Sequence, residues 1–307
     1  MLVSICICTF KRPALLAQTL EGVARLALGE HPPAVEVIVI DNDPAHSAAP
    51  VLQAWQPPPG WGFQYHQSPV PNIALARNAA VGHASGDWIA MVDDDEVPEP
   101  DWLLQLLSLQ QSSGADMIAG PVVPQYYPQT PEWVRQGRFF EVRRFKSGTP
   151  ITEGEGGTCN LLVRASCLKE LTGPFDVRFG RTGGEDSLML RELRKRGYRY
   201  VWCDEAVVKE FVHVERATAR WMIKRSFRMG QAFIRSQICD LEGWPWLKRA
   251  GYLIGRAAIQ LPISLLLALA WLPCSRARAF RWVRTAVVQL GKLTSLSPFQ
   301  YIEYSGN

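Results

Sequence analysis

Three short apolar runs, each ending abruptly in polar residues, narrow the folds open to this 307-residue chain more than anything else in it. Leu2 to Cys8 gives way to Thr9-Phe10-Lys11-Arg12-Pro13, Val35 to Ile40 stops at Asp41-Asn42-Asp43-Pro44, and Trp88 to Val92 runs into Asp93-Asp94-Asp95. Helical spacings lie between them: Leu15, Leu16, Thr19, Leu20 and Val23 after the first run, and Ile73 to Gly82 before the third. Strands with no polar alternation are buried on both faces. A mostly parallel sheet covered by helices on both sides is therefore expected. Ligands of such sheets bind beyond the carboxyl ends of the strands, and here three strand ends bring Thr9 to Arg12, Asp41 to Asp43 and Asp93 to Asp95 to one edge.

The 47% hydrophobic content excludes a disordered chain. A formal charge of +4 conceals an asymmetry, because Lys209 to Lys292 holds fifteen Lys or Arg against four Asp or Glu. An acidic body (1–215) and a basic, helical remainder (216–307) are expected to meet different partners, a metal–nucleotide site and an anionic membrane surface. No nucleic-acid partner is expected. The seven cysteines form no C-x-x-C pair and read as small buried hydrophobes of a reducing compartment. The apolar N-terminus is too short for a span and lacks a charged leader, which fits a first strand.

Gly120 to Gly157 reads as a long irregular segment rich in Pro, Gly, Tyr, Trp and Arg, and segments of that length are often functional. Gly251 to Leu272 is apolar apart from Arg256 and Gln260, and 22 helical residues reach about 33 Å, enough to cross a bilayer. Pro262 and Arg256 argue against a simple span. Ala277 to Leu290 interleaves Arg278, Arg281 and Arg284 with Phe280, Trp282 and Val283, the makeup of a helix lying on a membrane. Membrane association is expected, as a span or an in-plane hairpin. The alternative is a helical subdomain packed on the body.

Consecutive aspartates at a strand end repel one another unless a cation sits among them. Asp93 and Asp95 are candidate ligands of Mg²⁺ or Mn²⁺, with phosphate oxygens and water completing the shell; a solvated turn is the alternative. Asp41 either accepts from a ribose or base or closes a turn. Arg77 is a candidate phosphate or Asp-cluster partner on a helix. Glu185-Asp186 follows a glycine loop at a helix start, making Asp186 a candidate general base, although a carboxylate is favoured there in any case. His213 is a candidate further metal ligand or a packed residue.

In order along the chain, Ser4 to Pro13, Val39-Ile40-Asp41-Asn42, Asn72 with Ala76-Arg77-Asn78, Asp93-Asp94-Asp95, Gly157-Thr158-Cys159-Asn160, Glu185-Asp186 and His213 resemble family 2 glycosyltransferases. The likeness covers about residues 1 to 235 and is closest to bacterial members that build exopolysaccharide of the succinoglycan type. It implies a GT-A fold, Rossmann-like, with C-terminal membrane-associated helices. It further implies a nucleoside diphosphate sugar donor, a divalent cation, and inversion at the anomeric carbon onto a glycan or lipid-linked saccharide. By position, Thr9, Arg12, Asp41, Arg77, Asp93, Asp94 and Glu185 would lie on the donor, Asp95 with Asp93 on the metal, and Asp186 would be the base. Asn42 and Ala74 stand where the family often has aspartate and glycine. The implied location is the cytoplasmic face of the bacterial inner membrane.

Two other readings compete. Asp93-x-Asp95-x-Val97 matches the nucleophile motif of haloacid dehalogenase phosphatases, but that motif normally follows the first strand of its domain, and here two strand–helix units precede it. A membrane-tethered scaffold with a degenerate site is the non-enzymatic reading.

Overall fold

The computed structural model describes residues 1–152 and 155–297. The amino-terminal half is the expected strand–helix repeat: β1 (Leu2–Thr9), α1 (Pro13–Ala24), β2 (Ala34–Asp41), α2 (Ala49–Ala54), β3 (Gly62–Gln67), α3 (Ile73–His83) and β4 (Trp88–Val92). Then come β5 (Glu96–Pro98), α4 (Trp102–Ser113), β6 (Met117–Ala119), β7 (Val122–Tyr126), α5 (Glu132–Gly137), β8 (Asn160–Arg164) and α6 (Ala165–Lys169). The remainder is α7 (Glu185–Lys195), β9 (Tyr200–Trp202), β10 (Val208–Val212), α8 (Ala219–Ile238), α9 (Gly243–Trp271) and α10 (Arg276–Leu293).

Seven strands form the main sheet in the order β3-β2-β1-β4-β8-β6-β9, and β5-β10-β7 form a smaller one. Within the main sheet β8 alone runs antiparallel to its neighbours, β4 and β6. Burial explains the unbroken apolar runs: Val37 and Val39 enter the core under α1 and α4, while Ile38 and Ile40 enter the core under α3 and α7. The chain leaves β1 for β2 on one side and later places β4 on the other. The ends of β1 and β4 are thus a switch point, and Thr9 to Arg12 and Asp93 to Asp95 meet there. β3 carries no apolar run because it is a half-exposed edge strand, Gly62-Phe63-Gln64-Tyr65-His66-Gln67.

Two expectations need correction. The Gly120 to Gly157 stretch contains β7 and α5, and its aromatics are committed to packing. Trp133 meets Phe280 at 5.0 Å and Phe139 at 5.7 Å between ring centroids, and Phe140 stacks on Trp221 at 5.9 Å. Those rings form a plug between α5, α8 and α10. In α10, two of the arginines read as membrane-facing are spent inside the protein. Arg281 donates to the Gly137 carbonyl at 3.1 Å, and Arg284 donates to the Phe139 carbonyl at 3.1 Å and to Ser226 Oγ at 3.3 Å. The backbones of α8 and α10 also touch: a Cβ on Gly230 would come 2.1 Å from the Val288 carbonyl oxygen, so glycine is required there.

The 29-residue α9 differs. Its most apolar window has a mean hydropathy of 1.8 with only 22% of it buried, and among the described residues it is the one helix long and apolar enough to cross a membrane. Ile259, Leu266, Leu269 and Leu272 are each about two-thirds exposed along it.

Candidate active site

The aspartate run divides its labour. Asp94 is wholly buried: Thr9 Oγ1 donates to its Oδ2 at 2.7 Å, Arg12 Nη2 pairs with its Oδ1 at 2.7 Å, and Thr19 Oγ1 donates to its carbonyl at 3.0 Å. Burial pushes the Asp94 carboxyl up to about 7, with Arg12 opposing and Asp95 adding to the rise. Thr9 and Asp94, expected on the donor, tie the β1 loop and α1 to the aspartate loop through the bonds their side chains and the Asp94 carbonyl make. Arg12 is part of the same knot, its Nη1 reaching Asp95 Oδ2 at 2.7 Å.

Asp95 is clasped from a second side by Arg216, whose Nη2 is 2.9 Å from the same Oδ2 and whose Nη1 is 2.8 Å from Glu210. Sequence reasoning missed Arg216; the only signal was its place three residues beyond His213. Behind the run, buried Glu96 accepts from the Asp93 backbone N–H at 3.1 Å, and its carboxyl is pushed well up, first by burial and then by Asp93, Asp95 and Glu210. Asp93 is the open member, its side chain 38% exposed.

Asp41 closes a turn at the end of β2. It is fully buried, its oxygens accepting from the Asp43 and Ala48 N–H groups at 3.0 Å each and from Tyr65 OH at 3.4 Å. It shapes the loop after β2 at the carboxyl end of that strand, in register with Thr9 of β1. Asn42 continues that work, accepting from the backbone N–H of Asn72, the residue that caps α3 through Ala74 and Leu75.

Arg77 joins the two halves of the site. From α3 its Nη2 lies 3.3 Å from Asp93 Oδ1 and its Nη1 lies 2.5 Å from Glu185 Oε1. Burial works against its charge, but Glu185, Asp93 and Asp186 outweigh burial and raise its pKa. Glu185 is 4% exposed, and burial lifts its carboxyl to about 7, with Arg77 opposing and Asp186 adding to the rise. It stands at the first position of α7, after Gly183 and Gly184, both with positive φ (82° and 108°) that favour glycine. Asp186 follows. Its Oδ1 accepts from the Ser187 N–H at 2.6 Å, and no hydrogen bond engages its Oδ2 among the described residues. Arg77, Glu185 and Asp186 line a cavity of about 730 Å³ walled by α7, α8 and α9.

Among the described residues no three His, Cys, Asp or Glu side chains converge closely enough to hold a metal ion alone. His213, expected as a ligand beside Asp93 and Asp95, packs against the Tyr127 ring at 5.7 Å with its Nε2 buried and unpartnered. The donor chemistry nonetheless suits a hard cation. Seven carboxyl groups (Asp93, Asp94, Asp95, Glu96, Glu185, Asp186, Glu210) face five guanidinium groups, Arg12, Arg77 and Arg216 with Arg225 and Arg228 of α8, so carboxylate oxygens are in excess.

Known proteins carry the same pattern. Residues 4–170 match the family described as Glycosyl transferase family 2, and residues 88–299 match Glycosyl transferase family group 2. The chain is 33% identical to "Succinoglycan biosynthesis protein ExoM" of Rhizobium meliloti, over 99% of this chain and 96% of that protein. It is 26% identical to "Glucosyl-dolichyl phosphate glucuronosyltransferase" of Haloferax volcanii, over 52% of this chain and 53% of that one. In structure it resembles the mannosyltransferase PcManGT of Pyrobaculum calidifontis, solved with GDP-Man and Mn²⁺, with a TM-score of 0.63, 20% identity, and coverage of 96% of this chain and 87% of that one. That likeness gives the GT-A fold and removes the ground for the phosphatase reading of Asp93. With the family matched over more than half its length and a full-length relative, the chain belongs to glycosyltransferase family 2.

Proposed function

We propose that the protein transfers a sugar from a nucleoside diphosphate donor to a glycan or lipid-linked saccharide, with inversion, in exopolysaccharide assembly of the succinoglycan type. The observation that carries this reading is the Arg77 bridge, which fixes the Asp93 loop and the Asp186 helix to one another beside the cavity that Arg77, Glu185 and Asp186 line. Asp186 Oδ2 is the oxygen without a hydrogen bond among the described residues, and it takes the proton as an acceptor hydroxyl attacks the anomeric carbon. The bond from that carbon to the diphosphate breaks, and its electron pair leaves with the diphosphate. Asp93 and Asp95 would hold Mg²⁺ or Mn²⁺ together with phosphate oxygens, Asp95 after exchanging part of its clasp by Arg12 and Arg216. Such a cation, when bound, offsets the charge that grows on the leaving diphosphate.

The PcManGT complex and the dolichyl phosphate acceptor named for the archaeal relative support a nucleotide donor and a lipid-linked acceptor. The exposed apolar face of α9 supports membrane attachment, and the side proposed is the cytoplasmic face of the inner membrane. The test is nucleotide release from a panel of UDP-, GDP- and dTDP-sugars with and without Mn²⁺, on wild type and Asp186→Asn. One donor should respond, and the substitution should lower kcat about 10²- to 10⁴-fold while nucleotide binding persists. Wild-type rates in Asp186→Asn would remove the base, and release from no donor would remove the reading.

A further inference from the structure

The cavity beside Asp186 carries more positive charge than the transfer chemistry calls for. Each of its three helices turns a pair of arginines toward it: Arg191 and Arg194 on α7, Arg225 and Arg228 on α8, Arg249 and Arg256 on α9. The spacings, three residues in the first two pairs and seven in the third, put each pair on one helix face. Arg191 is neutralised by Asp240 at 2.9 Å. Arg228 lies over the glycine turn before α7, with its Nη1 3.2 Å from where a Cβ of Gly183 would stand.

The other four are a different matter. Arg249 donates to the Gln237 side chain, Arg225 sits over the Trp221 ring at 5.1 Å, and Arg256 lies over the Tyr252 ring at 5.7 Å. Those partners are neutral, although Arg225 also favours the charged form of Glu210, and Arg194 makes no ion pair among the described residues. Of the acids lining the same cavity, Glu185 is held by Arg77 and Glu155 by Arg143 at 3.5 Å, which leaves Asp186 alone among the described residues to face the arginines. Guanidinium groups gathered with neutral partners repel one another, and the ligand that relieves this is an anion bearing several oxygens.

The third wall says what the anion is attached to. Arg249, Tyr252, Leu253 and Arg256 belong to α9, and three residues beyond Arg256 the exposed apolar face begins, with Ile259 at 65%, Ile263 at 49% and Leu266 at 67% exposure. An anion in the cavity therefore lies against the same helix whose next turns suit hydrocarbon. We propose that the arginine cavity binds the diphosphate that joins a saccharide acceptor to a lipid chain, with the lipid along α9 and the sugar directed toward Asp186.

This rests on the transferase reading, and the two fail separately because the test requires no turnover. Full-length protein in detergent is titrated with farnesyl diphosphate, inorganic diphosphate, UDP and GDP, and its association with phosphatidylglycerol vesicles is measured alongside. R194Q/R249Q should weaken farnesyl diphosphate about tenfold or more for each arginine removed, and added salt should weaken it in wild type. The nucleotides should bind both proteins alike, and inorganic diphosphate should bind wild type more weakly than the farnesyl ester. R256Q, at an exposed position on the cavity rim, gives the same reading if the double variant melts early. Unchanged farnesyl diphosphate affinity overturns the proposal. So does a loss confined to vesicle association, which would make the arginines headgroup contacts, or a loss of nucleotide affinity, which would make the cavity part of the donor site. Equal affinity for the two diphosphates overturns the lipid half.

Discussion

Replacing Arg77 with methionine should destabilise the protein by an amount that depends on pH in a direction fixed by Glu185. The substitution leaves Asp93 and Glu185 facing each other without the guanidinium that joins them. Asp93 is 38% exposed and recovers water, so the cost falls mainly on Glu185, whose side chain is 6% exposed and whose Oε2 has no partner. Removing one partner of a buried pair costs about 3–5 kcal/mol, and the one re-solvated partner puts the expectation at the lower end. The group can also escape by taking a proton. The Glu185 carboxyl already stands at about 7 with Arg77 present, above its ordinary 4.5. A raised carboxyl means the native state keeps its proton to higher pH, so this group's contribution to stability falls as pH rises from about 4.5 through about 7. Without Arg77 that pKa climbs further and the fall extends to higher pH. At pH 8 the loss should approach about 3 kcal/mol, and at pH 6, with Glu185 neutral, it should shrink to the about 1 kcal/mol of a lost hydrogen bond. For a chain of this size that is about 6 °C against about 2 °C in melting temperature. Calorimetry of wild type, Arg77→Met and Arg77→Lys in detergent at the two pH values measures it. Equal losses at pH 6 and pH 8, or a larger loss at pH 6, would refute the assignment of the cost to Glu185.

Further outcomes follow from the same geometry. Asp94→Ala should cost about 3–5 kcal/mol in chemical denaturation because it strands Arg12 and Thr9, whereas Asp93→Asn should leave the denaturation midpoint nearly unchanged and weaken Mn²⁺-dependent nucleotide binding in calorimetry. Gly230→Val should lower the melting temperature by several degrees, since the added carbons meet the Val288 carbonyl. Leu266→Ser with Leu269→Ser should shift the protein from the membrane to the soluble fraction on cell fractionation while its melting temperature in detergent stays put, because both side chains are about two-thirds exposed.

What the sequence made legible follows the strength of its signals. β1, β2 and β4 are readable because strands buried on both faces must be apolar throughout, and their polar ends had to converge once the strands lay parallel. β3 is not, because an edge strand exposes the faces that would have carried the pattern. Asp94 shows the limit for the site. Three identical residues in a row give no cue to which points inward, and only the pairing of Thr9 and Arg12 with the second of them separates a structural carboxylate from its neighbours. The α10 stretch misleads for a related reason. A basic amphipathic pattern specifies that one face is apolar and the other cationic, and it reads the same whether Phe280 meets lipid or, as here, Trp133 and Phe139. Arg216 is invisible to any local reading, since its clasp on Asp95 spans 121 positions of chain.

The asymmetry of charge along the chain takes on a spatial meaning in the folded protein. Acidic residues from the first two hundred or so positions gather around the ends of β1 and β4, and the arginines of α7, α8 and α9 gather on the other side of Asp186. A bare diphosphate is repelled from the first region and attracted by the second. Under the proposed function the two diphosphates of the reaction are sorted by this field: the donor's enters the acidic corner only with cationic compensation, and the acceptor's is held by guanidinium groups alone. The Arg77–Glu185 bridge lies on the border between these regions, so its loss should change that sorting as well as loosen the fold. Arg77→Met should therefore make nucleotide binding more dependent on Mn²⁺ than it is in wild type, because it removes a fixed positive charge from beside Asp93 and leaves the added cation to offset the diphosphate and the carboxylates together. Unchanged dependence on Mn²⁺ would confine Arg77 to a structural role.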